Sequence, residues 1–126
     1  MIKLLIVGAG GFLGAISRYA LSGIVHRWVP GAFPIGTLCV NLIGCFLIGA
    51  LMTLVQDRKL FTPEGRLLFG VGILGSLTTF STFGYETVEL MRGGESRMAF
   101  LSVAANVVLG VAGVILGRFA VKVLGV

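Results

Sequence analysis

Long apolar stretches alternate with short polar connections along the whole chain. Four of them, residues 2–25, 35–55, 67–91 and 98–124, meet the roughly 20 residues that a helix needs to cross the bilayer hydrocarbon. The prolines all lie in the connections, at positions 30, 34 and 63, where they interrupt no helix interior. The pattern predicts an all-α integral membrane protein in which residues 1–126 form one four-helix domain, with both termini on the same side of the membrane.

The connections also contain residues that start and stop helices. Thr62-Pro63-Glu64 combines an N-cap residue, a first-turn proline and an acid facing the helix dipole, so it predicts the start of the third helix. Gly93-Gly94 is expected to end that helix, and Ser96 is expected to cap the fourth.

Composition excludes most soluble proteins. Hydrophobic residues make up 56 % of the chain and charged residues 12 %, which leaves too little polar surface to cover a soluble fold. The net charge of +5 is expected to contact lipid headgroups rather than nucleic acid, because no basic cluster is interleaved with aromatic residues. No acidic residue lies in residues 1–56, and we expect no enzymatic activity.

The basic residues are divided unequally between the two ends of the four spans. One side would hold six of them and the other three, namely Lys3, Arg58, Lys59, Arg66, Arg118 and Lys122 against Arg27, Arg92 and Arg97. This bias is weak, and Arg118 and Lys122 lie inside the end of a span, from which long side chains reach the interface. The chain is therefore expected to insert in either orientation.

A glycine-rich segment near the N-terminus imitates a dinucleotide-binding turn. Residues 3–14 would match the strand and glycines of such a domain, but the chain lacks the acidic residue about 20 positions later and the alternating strands and helices. We favour a stripe of small residues that lets helices approach closely in lipid, with Gly8, Gly11 and Ala15 on one side and Gly10 and Gly14 adjacent.

A hydroxyl-rich run, Gly-Ser-Leu-Thr-Thr-Phe-Ser-Thr-Phe-Gly-Tyr-Glu at residues 75–86, interrupts the third span. Glycine, serine and two β-branched threonines make a helix easy to break between Gly75 and Thr79. A break frees backbone carbonyls, which suit a cation such as sodium, and amides, which suit an anion. The alternative is a continuous helix whose hydroxyls bond back to the preceding turn.

Two phenylalanines in this run, Phe80 and Phe83, share a helix face. The edge of an aromatic ring is positive, so two edges turned toward a path stabilise an anion without holding it tightly. Ser81 and Thr82 add hydroxyl donors beside them. The alternative is that the two rings serve only in packing.

Polar residues in the other spans extend the path. Thr37 and Asn41 lie one turn apart in the second span, and Asn106 follows Ser102 by one turn in the fourth. A neutral amide N–H can bind an anion, although hydrogen bonding between helices is the common role of asparagine in membranes. Both interpretations stay open for Asn41 and Asn106.

Two charged residues complete the set of candidates. Glu86 follows Thr82 by four residues near the end of the third span, where it either faces the path or pairs with a base at the interface. Arg18 is the basic residue well inside the first span. It would raise the local anion concentration in a vestibule or, alternatively, extend to the membrane surface.

The chain resembles the Fluc family of fluoride channels, also called CrcB-type proteins. The resemblance covers essentially its whole length and rests on Gly-Thr-Leu-x-x-Asn at residues 36–41 and Gly-x-Leu-Thr-Thr-Phe-Ser-Thr-Phe-x-x-Glu at residues 75–86. It implies an antiparallel, dual-topology homodimer in the inner (plasma) membrane, with two pores that both subunits line. The implied function is passive, fluoride-selective export.

The resemblance also implies roles for individual residues. The pore phenylalanines of the family match Phe80 and Phe83, its pore asparagine Asn41 and its vestibule arginine Arg18. Its polar track matches Ser81, Thr82 and Glu86, with Thr37 opposite. A central, non-transported sodium ion would be held by backbone oxygens of Gly75 and Thr78. The family varies where Asn106 stands and often has tyrosine in place of Ser102, so the resemblance fixes neither role.

Two other functions are compatible with four apolar spans. A proton-coupled exporter resembling the small multidrug resistance family would need a membrane carboxylate, and Glu86 would have to serve because the first span has none. A glycine-rich structural subunit of a larger complex would carry no ion by itself. Transport measurements in liposomes separate these possibilities from a channel.

Overall fold

The computed structural model describes residues 1–125, which form an all-helical bundle without strands in that range. The helices are α1 (Ile2–Trp28), α2 (Ile35–Gln56), α3 (residues 63–77), α4 (Phe80–Arg92) and α5 (Ser96–Val123). Four spans are long and apolar enough to cross a membrane, because α3 and α4 together make the third, Pro63–Arg92. The predicted all-α membrane fold with four spans is confirmed.

Two of the three predicted helix ends are confirmed. The Thr62 hydroxyl accepts a hydrogen bond from the Gly65 amide at 3.1 Å, so it caps α3. After α4, Gly94 adopts φ +81°, which glycine tolerates, and the Glu95 amide donates to the Leu90 carbonyl at 2.8 Å.

The prediction for Ser96 is wrong. The tight glycine turn brings the chain into a helical path one residue earlier than expected, so Glu95 takes the N-cap position and Ser96 is the first residue of α5. No side chain caps this helix.

The predicted break in the third span is confirmed and is confined to two residues. Thr78 (φ −79°, ψ 155°) and Thr79 (φ −150°, ψ 114°) are extended, whereas residues 75–77 are still helical. A continuous helix is therefore excluded here. Part of that alternative is nevertheless present, because the Thr78 hydroxyl donates to the Leu74 carbonyl at 3.1 Å.

Glycine sets the distance between α1 and α3. A Cβ added at Gly10 would lie 2.9 Å from the Gly72 Cα, and one added at Gly72 would lie 2.8 Å from the Gly10 Cα. Gly14 packs in the same way against the Ile73 carbonyl, whereas Gly8 has open space around it. Close packing through small residues is thus confirmed, but the contact is made by Gly10 and Gly14, whereas Gly8 and Ala15 of the predicted stripe are exposed.

Wider π-helical turns interrupt two of the spans, at Leu67–Leu74 in α3 and at Ala105–Leu109 in α5. Such turns often mark functional sites, because they displace side chains from the regular helical register. Both lie beside the break in the third span, since Gly70, Leu74 and Val107 line the cavity next to it.

Only a small part of each span is buried within the chain. Over an apolar stretch of 18 residues in each span, the buried fraction ranges from 11 % in Ile2–Trp28 to 39 % in Ile35–Gln56, and the packed core is a short cluster that includes Val40, Leu51 and Leu77. Most of the apolar surface is therefore available to lipid or to another protein chain.

Candidate ion pathway at the break in the third span

Asn41 holds the broken segment of the third span through hydrogen bonds to both polar groups of the Thr79 backbone. The Thr79 amide donates to Asn41 Oδ1 at 2.8 Å, and Asn41 Nδ2 donates to the Thr79 carbonyl at 3.3 Å. Thr79 itself is 6 % exposed, so these backbone groups are shielded from water and need such partners. The Asn41 side chain thus replaces the bonds that the broken helix lacks.

The break also frees carbonyl groups, as the sequence predicts. In a continuous helix the Thr79 amide would donate to the Gly75 carbonyl and the Thr82 amide to the Thr78 carbonyl. The Thr79 amide instead donates to Asn41, and the Thr82 amide donates to the Thr79 hydroxyl at 3.2 Å. The carbonyl oxygens of Gly75 and Thr78 therefore lose their helical donors.

The predicted pair of phenylalanines forms an edge-to-face contact directly after the break. The ring centroids of Phe80 and Phe83 are 5.4 Å apart, with an angle of 61° between the ring planes. Phe83 is 8 % exposed, whereas Phe80 is 82 % exposed on the surface of the chain. Within the single chain, the packing alternative therefore applies to Phe83 and hardly at all to Phe80.

The hydroxyl groups of Thr79, Ser81 and Thr82, at the start of α4, are hydrogen-bonded to one another, and the donor in each contact can be assigned. The Thr79 hydroxyl donates to Thr82 Oγ1 at 3.0 Å and lies 3.3 Å from Ser81 Oγ. Because a hydroxyl has a single hydrogen, Ser81 must be the donor in its contact with Thr79. Among residues 1–125 the hydrogen of the Thr82 hydroxyl has no acceptor, and the side chain is exposed.

Thr37 and Glu86 meet across α2 and α4. The Thr37 hydroxyl donates to Glu86 Oε1 at 2.8 Å, and Oε2 is buried without a hydrogen-bond partner among residues 1–125. In the same part of the chain no basic side chain lies within ion-pair distance of Glu86, and Arg92 pairs with Glu89 at 3.0 Å. The structure thus does not support pairing of Glu86 with a base.

Asn106 lies against Asn41 and closes the other side of the break. Asn41 Nδ2 donates to Asn106 Oδ1 at 2.9 Å, and Asn106 Nδ2 donates to the Ser102 carbonyl at 2.9 Å. Hydrogen bonding between helices, one of the two interpretations left open for these asparagines, is therefore observed. Direct contact of either residue with an anion stays a proposal.

Two cavities are lined by most of the sequence-predicted residues, although Ser81 and Thr82 line neither of them. The first, about 370 Å³, lies beside the break, and its lining includes Asn41, Gly75, Thr78, Thr79, Phe80, Phe83 and Asn106. The second, about 440 Å³, lies at the end of the bundle, and its lining includes His26, Thr37, Glu86, Glu89 and Glu95. Asn41 lines the first cavity and Thr37, one turn earlier on α2, lines the second. Arg18 is half-buried on α1 and lines neither.

Sequence reasoning missed the central role of Thr79. It was expected only as part of the breakable segment, but its backbone binds Asn41 and its hydroxyl caps α4 by accepting from the Thr82 amide. A threonine three residues before another polar residue at a helix start is a typical N-cap pattern. The signal was hidden because the following residues continue an apparently uninterrupted span.

Comparison with known proteins identifies the family of this bundle. The family model described as CrcB-like protein, Camphor Resistance (CrcB), matches residues 5–118. The chain belongs to the CrcB-like family. The predicted resemblance to the Fluc or CrcB-type proteins is thereby confirmed.

Three relatives show how far the similarity of this CrcB-like chain extends. A protein of Methanosarcina acetivorans is 40 % identical over 121 residues, which cover 94 % of this chain and 89 % of the relative. Proteins of Ruminiclostridium cellulolyticum and Maridesulfovibrio salexigens are each 40 % identical and cover 97 % of this chain, at 94 % and 100 % of their own lengths. The first is named fluoride-specific ion channel FluC 1, and the other two fluoride-specific ion channel FluC. With its four spans, the CrcB-like chain is a multi-pass protein of the cell membrane.

Proposed function

We propose that this CrcB-like chain is a fluoride-selective ion channel that lets fluoride leave the cell down its electrochemical gradient. The observation that carries the proposal is the cavity of about 370 Å³ beside the break, which is lined by the rings of Phe80 and Phe83 and by neutral polar residues that include Asn41 and Asn106. The names of the relatives supply the identity of the ion. A channel of this kind is not an enzyme, and the path needs no catalytic group.

Small anions suit this path because its donors are neutral. The free hydrogen of Thr82 and the positive edges of Phe80 and Phe83 attract an anion without forming an ion pair that would trap it. Asn41 lines the cavity while its amide hydrogens bond to Thr79 and Asn106, and Ser81 contacts Thr79 at the edge of the lining. Arg18, farther along α1, is proposed to attract anions toward the entrance.

We propose that the functional unit is an antiparallel homodimer with two pores. Phe80, Ser81, Thr82 and Gly75 are all exposed on a single protomer, so the path has no wall on that side. A second copy would supply the wall, and the weak charge bias would allow the two copies to insert in opposite orientations.

We further propose a structural sodium ion that is not transported. The donor set fits this ion, because sodium prefers hard oxygen ligands and the carbonyls of Gly75 and Thr78 have lost their helical donors. When bound, the ion would neutralise the negative ends of these carbonyl dipoles. The residues themselves already set the carbonyls free through the bonds of Thr79 and Thr82 to other partners.

The transport proposal is tested with purified protein in liposomes loaded with potassium fluoride or potassium chloride. Valinomycin carries the counter-ion, and ion-selective electrodes follow the efflux of each anion. We expect fluoride to leave without any proton gradient and chloride to be nearly excluded. Fluoride efflux that needs a proton gradient would instead support an exporter that uses Glu86. Equal chloride flux, or no flux at all, would also contradict the proposal.

Dual topology is tested by labelling a cysteine placed at the N-terminus with an impermeant reagent in intact cells. Cys39 and Cys45, the natural cysteines, are replaced by alanine so that one site remains. An antiparallel dimer predicts labelling of about half the protein, and of all of it after the membrane is permeabilised. Complete labelling or complete protection in intact cells would refute the antiparallel arrangement.

A further inference from the structure

A relay of side-chain amides connects α5 to the break in the third span. Asn106 donates to the Ser102 carbonyl at 2.9 Å and accepts from Asn41 Nδ2 at 2.9 Å. Asn41 in turn accepts from the Thr79 amide at 2.8 Å and donates to the Thr79 carbonyl at 3.3 Å. Three of these four hydrogen bonds join different elements, linking α5 to α2 and α2 to the break, and the fourth lies within α5.

The order of donors and acceptors along the relay is fixed from its α5 end. A carbonyl can only accept, so the Ser102 oxygen must face the NH₂ group of Asn106. The Asn106 oxygen then faces Asn41, and only the NH₂ group of Asn41 can answer it. The Asn41 oxygen is left pointing at the Thr79 amide, which is the donor that the break has orphaned.

The position of Asn106 in the π-helical turn Ala105–Leu109 contributes to this geometry. The wider turn lies beside the cavity that Asn41 and Thr79 also line. The side chain of Asn106 bonds to a carbonyl four residues earlier in its own helix, and this bond holds the amide plane in place. If the Asn106 amide were flipped, its NH₂ group would face the NH₂ group of Asn41 and its oxygen would face the Ser102 carbonyl oxygen.

We infer that Asn106 is a positioning residue that orients the Asn41 amide and thereby holds the break at Thr79 in its extended conformation. Asn106 acts through Asn41 rather than through a contact of its own with the ion. The inference about the break stands on the geometry. Its consequence for ion flux rests on the proposed function, because the carbonyls of Gly75 and Thr78 and the ring of Phe80 follow the conformation of the break.

The test compares Asn106→Leu, which keeps the size of the side chain and removes both amide functions, with the control Thr53→Val. Thr53 is also buried and polar, and its hydroxyl donates to the Gly49 carbonyl at 3.0 Å, outside the relay. Protection of the Thr79 amide from hydrogen exchange and fluoride efflux per folded protein are measured for both. We expect Asn106→Leu to lower each by about tenfold and Thr53→Val to change each by less than about twofold.

A double-mutant cycle with Asn41→Leu separates positioning from independent contact. If Asn106 acts through Asn41, adding Asn106→Leu to Asn41→Leu lowers flux and Thr79 protection no further. The inference would be overturned if the fold-losses of the two single variants multiplied in the double variant, or if Thr79 in Asn106→Leu were as protected from exchange as in the parent. If Asn106→Leu does not fold, Asn106→Ala makes the same comparison without added apolar bulk. Should the parent protein carry no fluoride, the proposed function fails, while the exchange measurement still decides the inference.

Discussion

Replacing Phe80 by isoleucine tests whether an aromatic edge carries the ion. Isoleucine keeps apolar bulk but lacks the ring quadrupole, so an anion loses the positive edge that would stabilise it. Phe80 is a cleaner position than Phe83 for this experiment, because it is 82 % exposed in the protomer and Phe83 is 8 % exposed. A change at Phe83 would combine lost packing with any effect on the path.

The expected changes in stability and in fluoride flux distinguish a packing role of the ring from a role in the ion path. Packing inside the protomer covers only about 40 Å² of the Phe80 side chain, if such a side chain offers roughly 200 Å², and this is worth about 1 kcal/mol at roughly 25 cal/mol per Å². Isoleucine retains most of that contribution. For Phe83, whose ring is nearly all buried, a change of shape is expected to cost about 1 to 3 kcal/mol of stability. Phe80→Ile should therefore leave the fold intact while fluoride flux falls by about an order of magnitude or more.

The measurement is fluoride efflux from liposomes containing equal amounts of folded parent, Phe80→Ile or Phe83→Ile protein, with thermal unfolding followed in detergent. The reasoning requires Phe80→Ile to unfold within a few degrees of the parent and to conduct poorly. A Phe80→Ile protein of parental stability that conducts at the parental rate would remove this ring from the path.

Two further variants test the hydroxyl assignment and the helix contact. Thr82→Val should reduce fluoride efflux more than Ser81→Ala, because the free hydroxyl hydrogen belongs to Thr82; equal losses, or a larger loss at Ser81, would show that the donors are assigned wrongly. Gly10→Ala should lower the free energy of unfolding by about 1 to 3 kcal/mol, since its Cβ would lie 2.9 Å from the Gly72 Cα and the backbones would have to separate. Gly8→Ala, which meets nothing within 4 Å, is its control in the same helix, and equal stability of the two variants in denaturant unfolding would contradict this account.

The sequence by itself determined the four spans, because length and apolar character are enough to require a membrane helix. It also located the weak point of the third span, since glycine and hydroxyl side chains at residues 75–79 offer the backbone alternatives to the helix. The cap at Thr62 and the glycine turn after α4 were equally local, and local rules predicted them. Ser96 was misplaced by one residue, because the preceding turn bonds back to the Leu90 carbonyl and sets where α5 begins.

The tertiary structure alone decided which polar groups meet. No spacing rule brings Asn41 to Thr79, 38 positions away, or to Asn106, 65 positions away, because these pairs depend on how α2 packs against the broken span and α5. Nor does the sequence distinguish Phe80 from Phe83, although only Phe83 is covered by the rest of the protomer. In a membrane a freed backbone amide must find a hydrogen-bond partner, and the local sequence is enough to predict this need. Which side chain supplies the partner is a property of the packed helices.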